Sequence, residues 1–189
     1  MPYRRETGES DFETVLAAAR AHEAWALERL YTTLAPAVAG FLRLQSAAEP
    51  DDLTSEVFVG VLRNLGSFRG DEANFRSWVF TIAYRRLSDE RRAAGRRPLV
   101  QSLDDTPDPV DPGDVQADVE RLLATDRVRE LCGTLPPAQR DVLLLRLVGR
   151  LTIDEIAPLL GRSRGAVKAL QRRGLARVTR RLEREGVPL

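Results

Sequence analysis

Residues 151–178 read LTIDEIAPLLGRSRGAVKALQRRGLARV, and the punctuation of this stretch decides the fold. Thr152 is placed to cap a helix, with Glu155 at the third following position, the spacing of a capping box. Ile153, Ile156, Ala157 and Leu160 recur at the three- and four-residue intervals of one buried helix face. Gly161 stands where the chain needs a left-handed residue to leave that helix. Ser163 is placed to cap a second helix, with Val167, Leu170 and Val178 turned inward. A short helix, a three-residue turn and a longer basic helix form the pattern of a DNA-binding helix-turn-helix.

On the second helix Lys168, Ala169, Arg172 and Arg173 fall on an outward face. Ala169 is small enough to admit a groove or meet a thymine methyl, and Arg172 and Arg173 can reach guanine edges or phosphates. Arg162 and Arg164 lie beside the helix N-terminus, whose amides attract phosphate. The competing reading is a solvated arginine face, because 28 of the 29 basic residues are Arg. Caps, turn and preceding helix in one register favour DNA.

Charge is uneven along the chain. Its 189 residues carry a net +1, yet residues 121–189 hold 15 basic against seven acidic side chains. Residues 99–120 hold seven acids and no base, and residues 1–98 balance at 14 of each. A basic C-terminal part behind an acidic connector points to a polyanion partner for the former. The connector RRPLVQSLDDTPDPVDPGD has four prolines and little to bury, so a flexible acidic linker is expected. No apolar run is long enough for a membrane span, and the N-terminus has no signal-peptide pattern, so a cytoplasmic chain is expected. One Cys132 and one His22 build neither a disulfide nor the usual zinc site; both read as incidental helix residues, and no cofactor is expected.

Upstream of the connector the pattern is helical from Asp11 to about Arg92, with turn chemistry at Gly66 and Gly70. FRSWVFTIAYRRLSDERR, residues 75–92, places Phe75, Trp78, Val79 and Ile82 at core spacing. Tyr84, Arg85, Arg86, Asp89 and Arg92 lie on its other faces. No strand-period alternation of any length occurs. The expected class is all-α: two small helical domains joined by the acidic linker.

DDLTSEVFVGVLRNLGSFRGDEANFRSWVFTIAYRRLSDERR resembles the second domain of the sigma-70 family of bacterial RNA polymerase sigma factors, and more narrowly the extracytoplasmic-function (ECF) group. LPPAQRDVLLLRLVGRLTIDEIAPLLGRSRGAVK resembles the group's fourth domain. The resemblance implies a sigma domain 2-like helical bundle over 11–95, a linker over 96–118 and a sigma domain 4-like helix-turn-helix over 119–185. It implies binding of core RNA polymerase through the β′ clamp helices and the β flap, promoter DNA as ligand, an anti-sigma factor as controlling partner, and no catalysis. It places Asp51, Asp52, Leu53, Glu56 and Phe58 on the polymerase. Phe68, Arg69, Tyr84, Arg85, Arg86, Asp89 and Arg92 fall to the −10 element, with Phe68 to Asp71 as the loop that captures a flipped base. Arg162, Arg164, Lys168, Ala169, Arg172 and Arg173 fall to the −35 element. The chain departs from the common pattern at Arg85, where many relatives have Asn, and at Gly165–Leu170, which lacks the usual hydroxyls.

Two other readings compete. A dimeric helix-turn-helix regulator would bind its operator without polymerase and make no use of the helix from Asp52 to Phe58. A sigma mimic would sequester an anti-sigma factor, but such mimics usually carry a receiver domain and lose the basic face. An enzyme is least favoured, since no phosphate loop, nucleophile elbow or metal constellation appears.

Overall fold

The computed structural model describes residues 9–94 and 127–186. The expected linker, 96–118, lies outside the described residues. The N-terminal lobe consists of α1 (Glu9–Arg20), α2 (Ala24–Leu44), α3 (Pro50–Asn64), a 3-10 turn (Leu65–Ser67) and α4 (Glu72–Ala94). The C-terminal lobe has a helical stretch over 127–133, then α5 (Pro137–Leu147), α6 (Ile153–Leu159) and α7 (Arg164–Arg184). Among the described residues there is no strand.

The sequence pattern from Phe12 to Leu44 is interrupted at Ala21–Glu23. His22 sits there at φ 63°, and Glu23 N donates to Ala18 O at 3.0 Å. That contact closes α1 with a left-handed residue and starts α2 in a new direction. His22 is therefore a turn residue rather than a helix one. Phe12, Val15, Leu16 and Ala19 of α1 pack against Leu30, Leu34, Val38, Phe41 and Leu42 of α2. α3 adds Leu53, Val57, Phe58 and Val61 to the same core.

α4 corrects the expected core stripe. Phe75 and Val79 are buried as read, but Trp78 and Ile82 are only half-buried, and Phe80, Ala83 and Leu87 are fully enclosed. The cause is that α4 is covered on two sides. The side of Phe75, Val79 and Ala83 meets the N-terminal lobe. The side of Arg76, Phe80, Tyr84 and Arg91 meets the C-terminal lobe. Steps of four and seven residues keep each row on its own side of the helix.

α6 has the capping box read from the sequence. Glu155 N donates to Thr152 Oγ1 at 3.3 Å and Thr152 N donates to Glu155 Oε2 at 2.6 Å. Burial pushes the Glu155 carboxyl up, but hydrogen bonds from Ser77 and Thr152 outweigh it and hold it below its ordinary range. Thr152→Ala is expected to lower stability by about 1 kcal/mol in a denaturant melt. A variant indistinguishable from wild type would show that the cap contributes nothing. Gly161, at φ 60°, leaves α6 as expected, with Arg162 N donating to Ala157 O at 2.9 Å. α7 crosses α5 closely at Gly174, where a Cβ would lie 2.9 Å from Leu143 Cδ1.

Candidate nucleic-acid interface

Ser163 caps α7, accepting from Ala166 N at 3.2 Å. Val167, Leu170 and Gly174 are its buried residues. Their opposite face carries Lys168 and Arg172, both exposed, flanked on one side by the half-buried Ala169 and the exposed Arg173. Arg162 is exposed at the turn. Arg164, also exposed, pairs with Asp154 of α6 at 2.6 Å. The structure thus brings all six residues read for this surface onto one helix face and its approach. Arg177, Arg180 and Arg184 prolong the basic flank as exposed residues beyond those read from the sequence.

The second cluster surrounds the start of α4. Gly70 has φ 140°, and a Cβ there would come within 2.7 Å of Asn74 Cβ, so the loop requires glycine. Asn74 N donates to Asp71 Oδ1 at 2.7 Å and Asp71 N donates to Asn74 Oδ1 at 3.2 Å, a reciprocal cap that fixes the loop to the helix. Phe68 is buried, edge-on to Phe75 at 5.2 Å and stacked on Trp78 at 5.1 Å. Arg69 donates to its own loop carbonyls, Gly66 O at 2.7 Å and Phe68 O at 2.6 Å.

Arg85, Asp89 and Arg92 share the free side of α4 with Trp78 and Ile82, by steps of three and four. Arg85 and Arg86 are exposed; Arg86 pairs with Glu56 at 3.7 Å and Arg92 with Asp89 at 2.5 Å. Tyr84 is elsewhere. Its hydroxyl donates to Asp141 Oδ2 of α5 at 2.9 Å. Burial, then the Asp141 charge and hydrogen bond, push its phenol up to about 12. The fold retains a proton that an unfolded chain would release near pH 10. The stabilisation is therefore complete below pH 10 and lost as pH rises towards 12. An absorbance titration should show a phenol ionising near 12, and Tyr84→Phe should remove that step. If all phenols titrate together near 10, the contact is not formed.

The third cluster lies on α3. Asp51 pairs with Arg43 at 2.6 Å, and Asp52 and Glu56 are exposed. Leu53 and Phe58 are buried, Phe58 under the exposed ring of Tyr31 at 4.8 Å. Reading these two as surface contacts is corrected: they support the helix from beneath. Glu56 and Phe58 stand two residues apart, about 200° around a helix, so they cannot share a face. The same arithmetic finds the apolar partners that the sequence reading missed. Val59 and Leu62, 45% and 42% exposed, stand three and six residues beyond Glu56.

The described residues hold no cluster of His, Cys, Asp or Glu fit for a metal ion, and no helix long and apolar enough to cross a membrane. Comparison with known proteins finds the model of sigma-70 region 2 over residues 30–97 and that of sigma-70 region 4 over residues 125–178. ECF RNA polymerase sigma factor ShbA of Streptomyces griseus is 37% identical over 131 residues, covering 68% of this chain and 69% of ShbA. ECF RNA polymerase sigma factor SigD of Mycobacterium tuberculosis is 31% identical over 174 residues, covering 88% of this chain and 81% of SigD. The chain belongs to the ECF sigma factors.

This sigma factor also shares its fold with CnrH, solved in complex with the cytosolic domain of CnrY, at a TM-score of 0.62 and 24% identity over 91% of this chain and 97% of CnrH. RpoE of Bartonella quintana, solved with the anti-sigma factor NepR, gives 0.62 at 19% identity over 82% and 96%. The sigma factor is thus a non-enzymatic transcription initiation factor, all-α, with both family regions in the expected order. The α3 and α4 clusters fall within the region 2 match. The helix-turn-helix begins within the region 4 match and its last helix runs beyond it.

Proposed function

We propose that this sigma factor binds core RNA polymerase through α3, holds the opened −10 element against α4 and its preceding loop, and reads the −35 duplex through α7. The domain limits are those read from the sequence, 11–95 and 119–185, with the acidic stretch 96–118 between them. The observation that carries the proposal is the separation of two charged faces. One is acidic with an apolar margin, formed by Asp52, Glu56, Val59 and Leu62. The other is basic, formed by Arg162, Arg164, Lys168, Arg172 and Arg173.

Each face suits a different partner. Carboxylates beside Val59 and Leu62 can steer onto a basic helical surface and then desolvate a small anchor, as the β′ clamp helices would require. Leu53 and Phe58 hold that face in place from below, and Asp51 extends it. On α7, Lys168 and Arg172 stand beside the small Ala169, where the helix can approach base edges closely, while Arg162 and Arg164 take phosphates.

At α4 the exposed Arg85, Arg86 and Arg92 with Asp89 would follow the backbone and bases of a single strand, next to the Phe68–Trp78 stack. Arg69 must leave its loop carbonyls to join them. Tyr84 can join only when Asp141 releases it. Control by an anti-sigma factor is part of the proposal, supported by the shared fold with a sigma factor solved in that company.

The test is binding to core RNA polymerase, wild type against the Asp52→Arg, Glu56→Arg double variant. Wild type should bind, and the variant should lose at least about tenfold in affinity, since like charges juxtaposed across an interface cost several kcal/mol. Absence of binding by wild type would remove the proposal.

A further inference from the structure

Arg20, in the last turn of α1, reaches out of its own helix. Its Nη2 donates across 48 residues of chain to Phe68 O, in the loop that leads into α4. Its Nε is buried without a hydrogen-bond partner, and among the described residues Phe68 O is the one acceptor the guanidinium has. A cation in the last turn ordinarily stays with the carbonyls of its own helix end. Here it spans from α1 to a neighbouring loop, whose 3-10 turn places Leu65 in the same core as Leu16 and Ala19.

Phe68 O accepts twice. The second donor is Arg69 Nη1 at 2.6 Å, which also reaches Gly66 O at 2.7 Å. The two arginines differ in what they can give up: Arg69 is exposed, whereas Arg20 is half-buried against the lobe. The rest of the loop is fixed to α4, by the Phe68 ring on Phe75 and Trp78 and by the reciprocal bonds of Asp71 and Asn74. Arg20 adds a tie to α1, at the carbonyl that Arg69 also holds.

We propose that Arg20 is a positioning residue of the −10 site, which keeps the Phe68 carbonyl satisfied and the loop in place when Arg69 turns outward to a single strand. The inference rests on the functional reading given above, and it gives Arg20 no contact with DNA. A part-buried carbonyl that loses its last donor costs far more than one that gives up one of two. With Arg20 in place, Arg69 is free to leave. Without Arg20, Arg69 is detained by the carbonyl it would strand. Lysine can substitute, because Arg20 donates through one nitrogen only. Methionine fills similar space and donates nothing.

The experiment reconstitutes the full chain with core polymerase and measures binding to a fork-junction DNA, single-stranded through its −10 element, from a promoter that the holoenzyme transcribes. Wild type, Arg20→Met, Arg69→Ala and the double variant form a cycle, and far-UV circular dichroism establishes that all four are helical. Arg20→Met should bind the fork about five- to tenfold more weakly than wild type, and Arg20→Lys within about twofold of it. In the Arg69→Ala background the same Arg20→Met change should cost less than about twofold, because no arginine remains to be detained. Should Arg20→Met lose helicity, Arg20→Gln, whose amide ends well short of the guanidinium, takes its place in the cycle. An Arg20 that only supports the lobe would lower affinity equally in both backgrounds, and that result overturns the proposal. So does an Arg20→Met protein that binds like wild type while Arg69→Ala is impaired, which leaves the functional reading standing. If Arg69→Ala binds the fork as well as wild type, the functional reading of Arg69 fails and takes the inference with it.

Discussion

Truncating Phe80 to alanine should lower the unfolding free energy by about 3–5 kcal/mol. The ring is fully buried and edge-on to Phe41 at 5.5 Å. The Arg76 guanidinium stands over it, 5.3 Å from its centroid. Phe41 and Val79 belong to the N-terminal core, and Gly149 belongs to the opposite lobe, so the vacated space borders both. Neither side can collapse into it without disturbing the other, which keeps the cavity open and the cost high. Urea melts followed by far-UV circular dichroism measure it. A loss below about 1 kcal/mol would mean that the site refills and that the lobes are not packed as described.

Arg172→Ala should weaken −35 recognition by about 1–3 kcal/mol, five- to 150-fold, and relax the preference at one base pair. Arg172 stands on the centre of the outward face of α7, exposed and with no charged partner among the described residues. Arg164 differs, because it sits at the helix N-terminus and already pairs with Asp154. Arg164→Ala should weaken binding about equally for all sequences and reduce the salt slope by about one. Holoenzyme binding to a panel of −35 duplexes at several salt concentrations separates the two. If Arg172→Ala reduces all duplexes alike, its contact is a phosphate and the base reading belongs to a neighbour.

The caps and the turn of the helix-turn-helix are legible in the sequence, whereas Ile153, Leu160 and Val178, expected inside, are only half-buried. Thr152, Glu155, Gly161 and Ser163 are local signals, since each works within four residues of chain, and a linear reading captures such terms. What was misread depends on contacts across the chain. Trp78 and Ile82 have core spacing, but the periodic pattern cannot say that α4 would be covered from two sides, which rotates the enclosed row to Phe80, Ala83 and Leu87. Tyr84 looked free for the same reason: Asp141, its partner, is 57 residues away. Phe58 is a different case. Its place on the polymerase rests on the family resemblance, whereas its position two residues after Glu56 excludes a shared face. Val59 and Leu62 were equally readable by that geometry.

The unequal burden carried by α4 and α7 sets how freely each can be redesigned. Lys168, Arg172 and Arg173 are exposed and, among the described residues, hold up nothing, so these positions of α7 can be replaced one by one without loss of foldedness. Rewriting promoter choice there is a substitution problem on a passive scaffold. α4 offers no such freedom, because one helix carries the lobe interface, the N-terminal core and the proposed nucleic-acid face in adjacent rows. On the proposed reading, a change of −10 preference is sought among Arg85, Arg86, Asp89 and Arg92. An orthogonal regulator built from this chain should therefore take its new specificity from the last helix and keep the fourth intact.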